Sequence, residues 1–304
     1  MTATAGFSKI RIGIVLLVLL LSALSFLLFQ RLHFSHQNFP GLAKRQWKIT
    51  APPRTPQIIG HRGSGLKSTN SRHTTGNTVN AIRTGIAAGC DWIEIDIRAT
   101  RDRHIVVFHD EKIDQKTNGA GSLSSLSLDE VRSVDILVEP KEKIRTLEEI
   151  LSHFDDPKLK WVFDIKTPGL RDSLLQTLAS RVSKENAILF GEYSILQEYQ
   201  NSGFALGYTV LGKSWKNRFR VLFRPGSILD RADSLNCRYL VLPILFTSQP
   251  LIDAAQSRDI HVWSYGSDDP VDAMHSAGRG ISGLIVDHPE PHRTLFGPKL
   301  YPVE

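Results

Sequence analysis

From residue 57 to residue 292, short apolar runs alternate with longer amphipathic stretches. Runs rich in Ile, Val and Phe predict strands at 57–60, 92–98, 105–109, 160–166, 187–190, 205–210, 238–245, 260–265 and 282–286. Helical spacing predicts a helix over 78–89, with Val79, Ile82 and Ile86 on one face, Asn77 as its cap and Gly89 as its stop. Further helices are predicted over 146–154, 170–183, 194–201, 250–258 and 270–277. Strand followed by helix, repeated, implies a parallel sheet. Nine strands are one too many for an eight-stranded barrel, so one belongs to a hairpin, and Thr100–Arg103 reads as a hairpin turn. Residues 111–145, with Gly119, Gly121 and a short helical pattern at 128–134, read as an insertion with little core of its own.

The N-terminal region has a different pattern. Residues 12–29 carry no charge, and as a helix they extend about 27 Å, close to a bilayer core. Lys9 and Arg11 flank one end and Arg31 the other. The run exceeds the apolar region of a cleaved signal peptide, and no small-x-small cleavage site follows it. A single transmembrane signal-anchor over 12–30 is therefore expected, after a tail at 1–11. A linker over 31–56 ends at Pro52, Pro53 and Pro56. The barrel occupies 57–292, and a tail of 293–304 closes the chain.

Composition narrows the function. Of the 304 residues, 41% are hydrophobic, which supplies a full core and argues against disorder. The formal charge of +6 suits an anionic membrane surface or a phosphate-bearing substrate. No Lys/Arg-dense arm, zinc finger or RNA-binding signature is present, so nucleic acid is not an expected partner. The two cysteines, Cys90 and Cys237, define no disulfide framework. Residues 213–224 mix basic side chains with Trp215, Phe219 and Phe223. They read either as a membrane-facing helix or as an ordinary barrel helix with a charged outer face.

Chemistry enters at the strand over 92–98. Alternation puts Ile93, Ile95 and Ile97 on one face, and Glu94 and Asp96 on the other, roughly 6–7 Å apart. Two neighbouring carboxylates on an apolar strand ionise easily only with a cation between them, and a hard ion such as Mg²⁺ or Ca²⁺ prefers oxygen ligands. A surface strand with its charges in water, or ion pairs to Arg98 or Arg101, is the plainer reading. Asp164 and Lys166 share a face of the strand over 160–166. His61 and His109 lie at strand ends and supply an acid/base pair, and Arg62 supplies donors for phosphate oxygens. Chemically active residues at the ends of several strands favour a TIM (β/α)8 barrel of the α/β class over an open sheet. No serine or cysteine nucleophile motif is evident. The set suggests metal-assisted attack on a phosphodiester.

His61-Arg62-Gly63, Asn77-Thr78, Glu94-x-Asp96, His109-Asp110 and Asp164-Ile165-Lys166 follow one another in an order that resembles the glycerophosphodiester phosphodiesterases. Trp263 and the run Gly283–Pro289 fit as well. The resemblance spans 57–292. It implies a TIM barrel with a small insertion, one divalent cation (Mg²⁺ or Ca²⁺) and hydrolysis of a glycerophosphodiester to glycerol 3-phosphate and an alcohol. His61 and His109 would be the acid/base pair, and Glu94, Asp96 and Asp164 the metal ligands. Arg62 and Lys166 would contact phosphate. Trp263, as an alternative to a core role, would pack on the substrate's glycerol or aglycone. Asp164 and Gly76 stand where the family usually has Glu. A lysophospholipase D acting on lysophospholipid is the neighbouring enzymatic reading. A catalytically impaired barrel that binds lipid headgroups or a protein partner is the reading of another class.

Overall fold

The computed structural model describes residues 22, 55–65, 76–138, 140–210, 220–221 and 224–297. The expected membrane span at 12–30 lies outside these residues apart from Ser22, as do most of 213–224 and the loop 66–75. Among the described residues, no helix is long and apolar enough to cross a membrane.

The strands among the described residues are β1 (Gln57–Gly60), β2 (Trp92–Ala99), β3 (Ile105–Val107), β4 (Trp161–Ile165), β5 (Ala187–Gly191), β6 (Ala205–Thr209), β7 (Tyr239–Pro243), β8 (His261–Tyr265) and β9 (Gly283–Val286). All but β3 run parallel, in the order β1, β2, β4 to β9, and β9 pairs back to β1. The result is a closed eight-stranded barrel. β3 is the predicted hairpin strand and runs antiparallel to the upper end of β2, with Ile97 opposite Val107 and Ala99 opposite Ile105.

The helices with bounds among the described residues are α1 (Val79–Ala87), α2 (Leu128–Ser133), α3 (Leu147–His153), α4 (Arg171–Ala179), α5 (Tyr193–Leu196), α6 (Pro225–Ser234), α7 (Gln249–Gln256), α8 (Pro270–Gly278) and α9 (Pro289–Phe296). Thr78, not Asn77, caps α1, its hydroxyl accepting from the Ala81 N–H at 3.1 Å. Asn77 has φ of 65° and uses its side chain elsewhere. The stop is where Gly89 predicts it, with φ of 76° just past the Ala88 cap. The helix expected over 194–201 shrinks to α5 and a 3₁₀ turn, Gln197–Tyr199. Sequence reading missed α6. Pro225 starts it, and Ile228, Leu229 and Ala232 bury its inner face.

Strand alternation builds two apolar layers. Ile93, Ile95 and Ile97 point out with Trp161, Phe163 and Ile165 and are buried with helical residues such as Leu147, Leu174 and Leu178. Ile59, Trp92, Val162, Ile188, Phe190, Val241, Trp263 and Ile285 form a second cluster. They sit on the opposite strand face, inside the barrel. Small residues give its rings room. A Cβ on Gly207 would come within 2.2 Å of the Phe190 ring, and one on Gly283 within 2.7 Å of Trp263. The insertion, expected to have little core, has one: Ile113, Leu123, Leu128, Val131, Ile136 and Ile144 pack with Val106 and Phe108 of the hairpin. The hairpin supplies the apolar surface that the insertion lacks on its own.

Ile95 has no exposed surface. Replacing it with Ala should cost about 2–5 kcal/mol of stability, read from urea unfolding. A loss below about 1 kcal/mol would contradict the buried outward face of β2.

Candidate active site

The chemically active residues gather at the C-terminal ends of the barrel strands, where parallel barrels carry their sites. Glu94 and Asp96 occupy the inward face of β2 and are 3% and 1% exposed, which removes the surface-strand reading. Asp164 lies beside Asp96 in the register of β2 and β4. His61 and Arg62 follow β1, Lys166 follows β4, and His109 lies just beyond β3.

Arg62 holds this end of the barrel together from a costly backbone position. Its φ of 54° is left-handed, a conformation that costs a non-glycine residue on the order of 1–3 kcal/mol. Three partners hold it there. Its N–H donates to Glu94 Oε2 at 2.7 Å, its carbonyl accepts from the Asn77 N–H at 2.8 Å, and its Nε lies 3.3 Å from Asp96 Oδ2. Gly76 packs directly on it, and a Cβ there would fall 2.2 Å from the Arg62 Cβ. A side chain at 76 would not fit beside Arg62, so the glycine is matched to the arginine's placement.

Asp96 is the most connected group. Asn77 grips it twice, donating from Nδ2 to Oδ2 at 2.8 Å and accepting the Asp96 N–H on Oδ1 at 3.0 Å. Lys166 Nζ is 3.2 Å from Asp96 Oδ1 and 2.5 Å from Asp164 Oδ2. Burial alone would raise the Asp96 carboxyl, but Lys166, Arg62, His109 and His61 together hold it far below the usual range. Burial likewise disfavours the Lys166 ammonium, and Asp164 and Asp96 more than reverse this. Glu94 goes the other way. Burial, then Asp96 and Asp164, push it well above the ordinary carboxyl value despite Lys166 and the Arg62 N–H.

These groups fit a divalent ion. Oxygens of Glu94, Asp96 and Asp164 lie within 4.8 Å of one another. Two oxygens on one Ca²⁺, each at about 2.3–2.6 Å, are separated by at most about 5 Å. Burial, Asp96 and Asp164 together outweigh Lys166 and the Arg62 N–H at Glu94, so a further cation there would be favourable.

The two histidines have matching supports. His61 Nδ1 lies 2.7 Å from Asp287 Oδ1, and His109 Nδ1 lies 2.6 Å from Asp110 Oδ1. A carboxylate only accepts, so each Nδ1 carries the proton and each Nε2 is the nitrogen left for chemistry. Burial would raise Asp287, but the His61 hydrogen bond and nearby positive charge keep its carboxyl below the usual range. Asp268 Oδ1 accepts the Asp287 and His288 N–H groups at 2.8 and 3.2 Å and fixes that strand end.

Sequence reading assigned no role to Asp287 and read Asn77 only as a helix cap. Asp287 ends an apolar strand as a charged residue, the same signal that singled out His109. Trp263 does not join the site. It has no exposed surface, and its ring packs 4.7 Å from Tyr239 and 5.5 Å from Phe190 inside the barrel. The expected substrate contact is corrected to a core role. Tyr265, two residues on and therefore on the same face, is the partly buried aromatic nearer the strand's C-terminal end.

Burial and the neighbouring carboxylates favour the protonated form of Glu94, so a cation that binds there competes with a proton and divalent affinity should rise with pH. Calorimetric titration with Ca²⁺ or Mg²⁺ at pH 6 and pH 8 should show tighter binding at pH 8 and none in Glu94→Gln. Equal affinity at both pH values, or binding retained in the variant, would contradict the assignment.

The model of the glycerophosphoryl diester phosphodiesterase family matches residues 61–215. A glycerophosphodiester phosphodiesterase of Caldanaerobacter subterraneus subsp. tengcongensis is 26% identical over 246 residues, which is 77% of this chain and 94% of that protein. Human glycerophosphodiester phosphodiesterase 1 is 31% identical over 140 residues, 44% of this chain and 40% of the human protein. In three dimensions the chain is similar to a glycerophosphodiester phosphodiesterase of Thermotoga maritima (TM-score 0.64, 20% identity, covering 80% of this chain and 99% of that one). It is also similar to an Oleispira antarctica phosphodiesterase solved with the product sn-glycerol-3-phosphate (TM-score 0.64, 20% identity, 79% and 96% covered).

Proposed function

From the membership of this chain in the glycerophosphoryl diester phosphodiesterase family, we propose that it hydrolyses glycerophosphodiesters to glycerol 3-phosphate and an alcohol, with His61 and His109 as acid and base. The observation that carries this reading is the pair of imidazoles, each oriented through Nδ1 by its own carboxylate and both close enough to Asp96 to lower its carboxyl.

Glu94, Asp96 and Asp164 would hold one Mg²⁺ or Ca²⁺, which when bound would polarise a phosphoryl oxygen and offset its charge. The protein's own groups do the rest. Arg62 and Lys166 bring positive charge to the phosphate, Arg62 from a fixed backbone position and Lys166 from the end of β4. One Nε2 takes a proton from the attacking hydroxyl, which belongs to water or to the substrate glycerol; in the second case a cyclic phosphate forms and water then opens it to glycerol 3-phosphate. The other Nε2 gives a proton to the departing alcohol oxygen. With no protein nucleophile required, these proton transfers and the charge on the phosphate are what the site must supply.

The apolar run at 12–30 supports attachment to a membrane through a single N-terminal helix. A membrane location would bring lysophospholipid within reach of the same chemistry, and soluble diester and lysolipid separate in one assay.

Turnover of glycerophosphocholine should vanish with EDTA and return with Mg²⁺ or Ca²⁺. His61→Ala and His109→Ala should each lower kcat by about 10²- to 10⁴-fold. Release of choline from lysophosphatidylcholine alone would move the reading to lysophospholipase D. No turnover of either substrate by folded, metal-supplemented protein would leave a lipid-headgroup- or partner-binding barrel.

A further inference from the structure

The carboxylate that orients His109 is itself held from the insertion. Asp110 uses one oxygen, Oδ1, for His109 Nδ1, and its other oxygen lies 3.2 Å from Lys116 Nζ. The Lys116 side chain is only 12% exposed. Its backbone has little freedom. The Lys116 N–H donates to the Ile113 carbonyl at 3.2 Å, and its carbonyl accepts from the Leu137 N–H at 2.8 Å. The neighbouring Thr117 is buried and bridges to Ile136. The insertion's core of Ile113, Leu123 and Ile136 thus sets where this ammonium sits. A lysine in this position gives up hydration, and the charge of Arg62 adds to the penalty; Asp110 opposes both. A buried cation kept against such a penalty marks a group whose charge is in use.

We propose that Lys116 is a positioning residue for His109, holding Asp110 so that its Oδ1 fixes the imidazole with Nε2 toward the substrate. The inference rests on the acid/base reading of His109. It assigns the insertion a share in the site, through a chain of contacts from Lys116 to Asp110 to His109. Without Lys116, Asp110 is free to rotate away or to turn to Arg98, whose Nε already donates to the His109 carbonyl at 2.6 Å. His109 would then lose its fixed tautomer while the phosphate-binding groups stayed in place.

Lys116→Met keeps the stem and removes the charge, and Lys116→Arg keeps the charge. Both are compared with the full chain and with His109→Ala on glycerophosphocholine at saturating divalent cation. Lys116→Met should lower kcat about tenfold or more with KM within twofold, as expected for a misoriented catalytic group. Lys116→Arg should recover at least half of the lost turnover. The downfield proton resonance of His109 Nδ1–H should be present in the parent and in Lys116→Arg, and weakened or absent in Lys116→Met. Unchanged kcat with the resonance retained would overturn the proposal. So would a rise in KM alone, which would make Lys116 a substrate contact. Equal losses in the Met and Arg variants with a lowered unfolding midpoint would reduce it to a fold residue. Full activity in His109→Ala would remove the acid/base assignment itself, and the proposal with it.

Discussion

Two carboxylates on the inner face of one strand, Glu94 and Asp96, impose the condition that the rest of the site meets. Both are out of water, and Asp164 on the adjacent strand adds a third negative charge. Such a cluster would be prohibitive unless cations and donors surrounded it. Arg62 accepts a left-handed backbone so that its N–H and its side chain can serve Glu94 and Asp96 together. Asn77 closes around Asp96 with both ends of its amide. Lys166 bridges Asp96 and Asp164. Burial, with Asp96 and Asp164 beside it, pushes the Glu94 carboxyl up, and a divalent ion placed among the three carboxylates would offset that charge.

The same constraint explains the architecture around it. A rigid support is needed to keep like charges close, and the barrel interior provides one. Trp263, Phe190, Tyr239 and Trp92 fill the space on the inward face of the strands with interlocked rings, and Gly207 and Gly283 leave room for them. Each histidine is then set by a carboxylate from a different part of the chain. Asp287 comes from the end of β9, beside β1 in the closed sheet, and Asp110 from the root of the insertion. Barrel closure is therefore part of the chemistry, because it delivers Asp287 to His61 across most of the sequence.

Much of this was legible in the linear pattern. Period-two alternation put Glu94 and Asp96 opposite Ile93, Ile95 and Ile97, and the barrel preserves that division. The excess ninth strand resolved into the antiparallel β3. Contacts between distant segments were not legible. Nothing local to Asp287 indicates His61, and nothing local to Asn77 indicates Asp96; the left-handed backbone at Asn77 turns a residue that reads as a helix cap into a clamp. Trp263 misled because an aromatic residue in a strand has the same local signature whether it lines a mouth or plugs a core. Here its lack of exposure decides for the core. The insertion looked poor in core because its apolar residues are scattered along it and close into a cluster only with Val106 and Phe108 of the hairpin before it.

The central claim is that Glu94, Asp96 and Asp164 form a divalent metal centre, and locating the ion tests it most directly. Crystals soaked with Mn²⁺ as an anomalous scatterer should show one peak in contact with oxygens of Glu94, Asp96 and Asp164, at about 2.0–2.6 Å from each. A fully occupied peak elsewhere, or none at a concentration that supports activity, would contradict the claim. Lys166 and Arg62 would then be the cations that reconcile these charges.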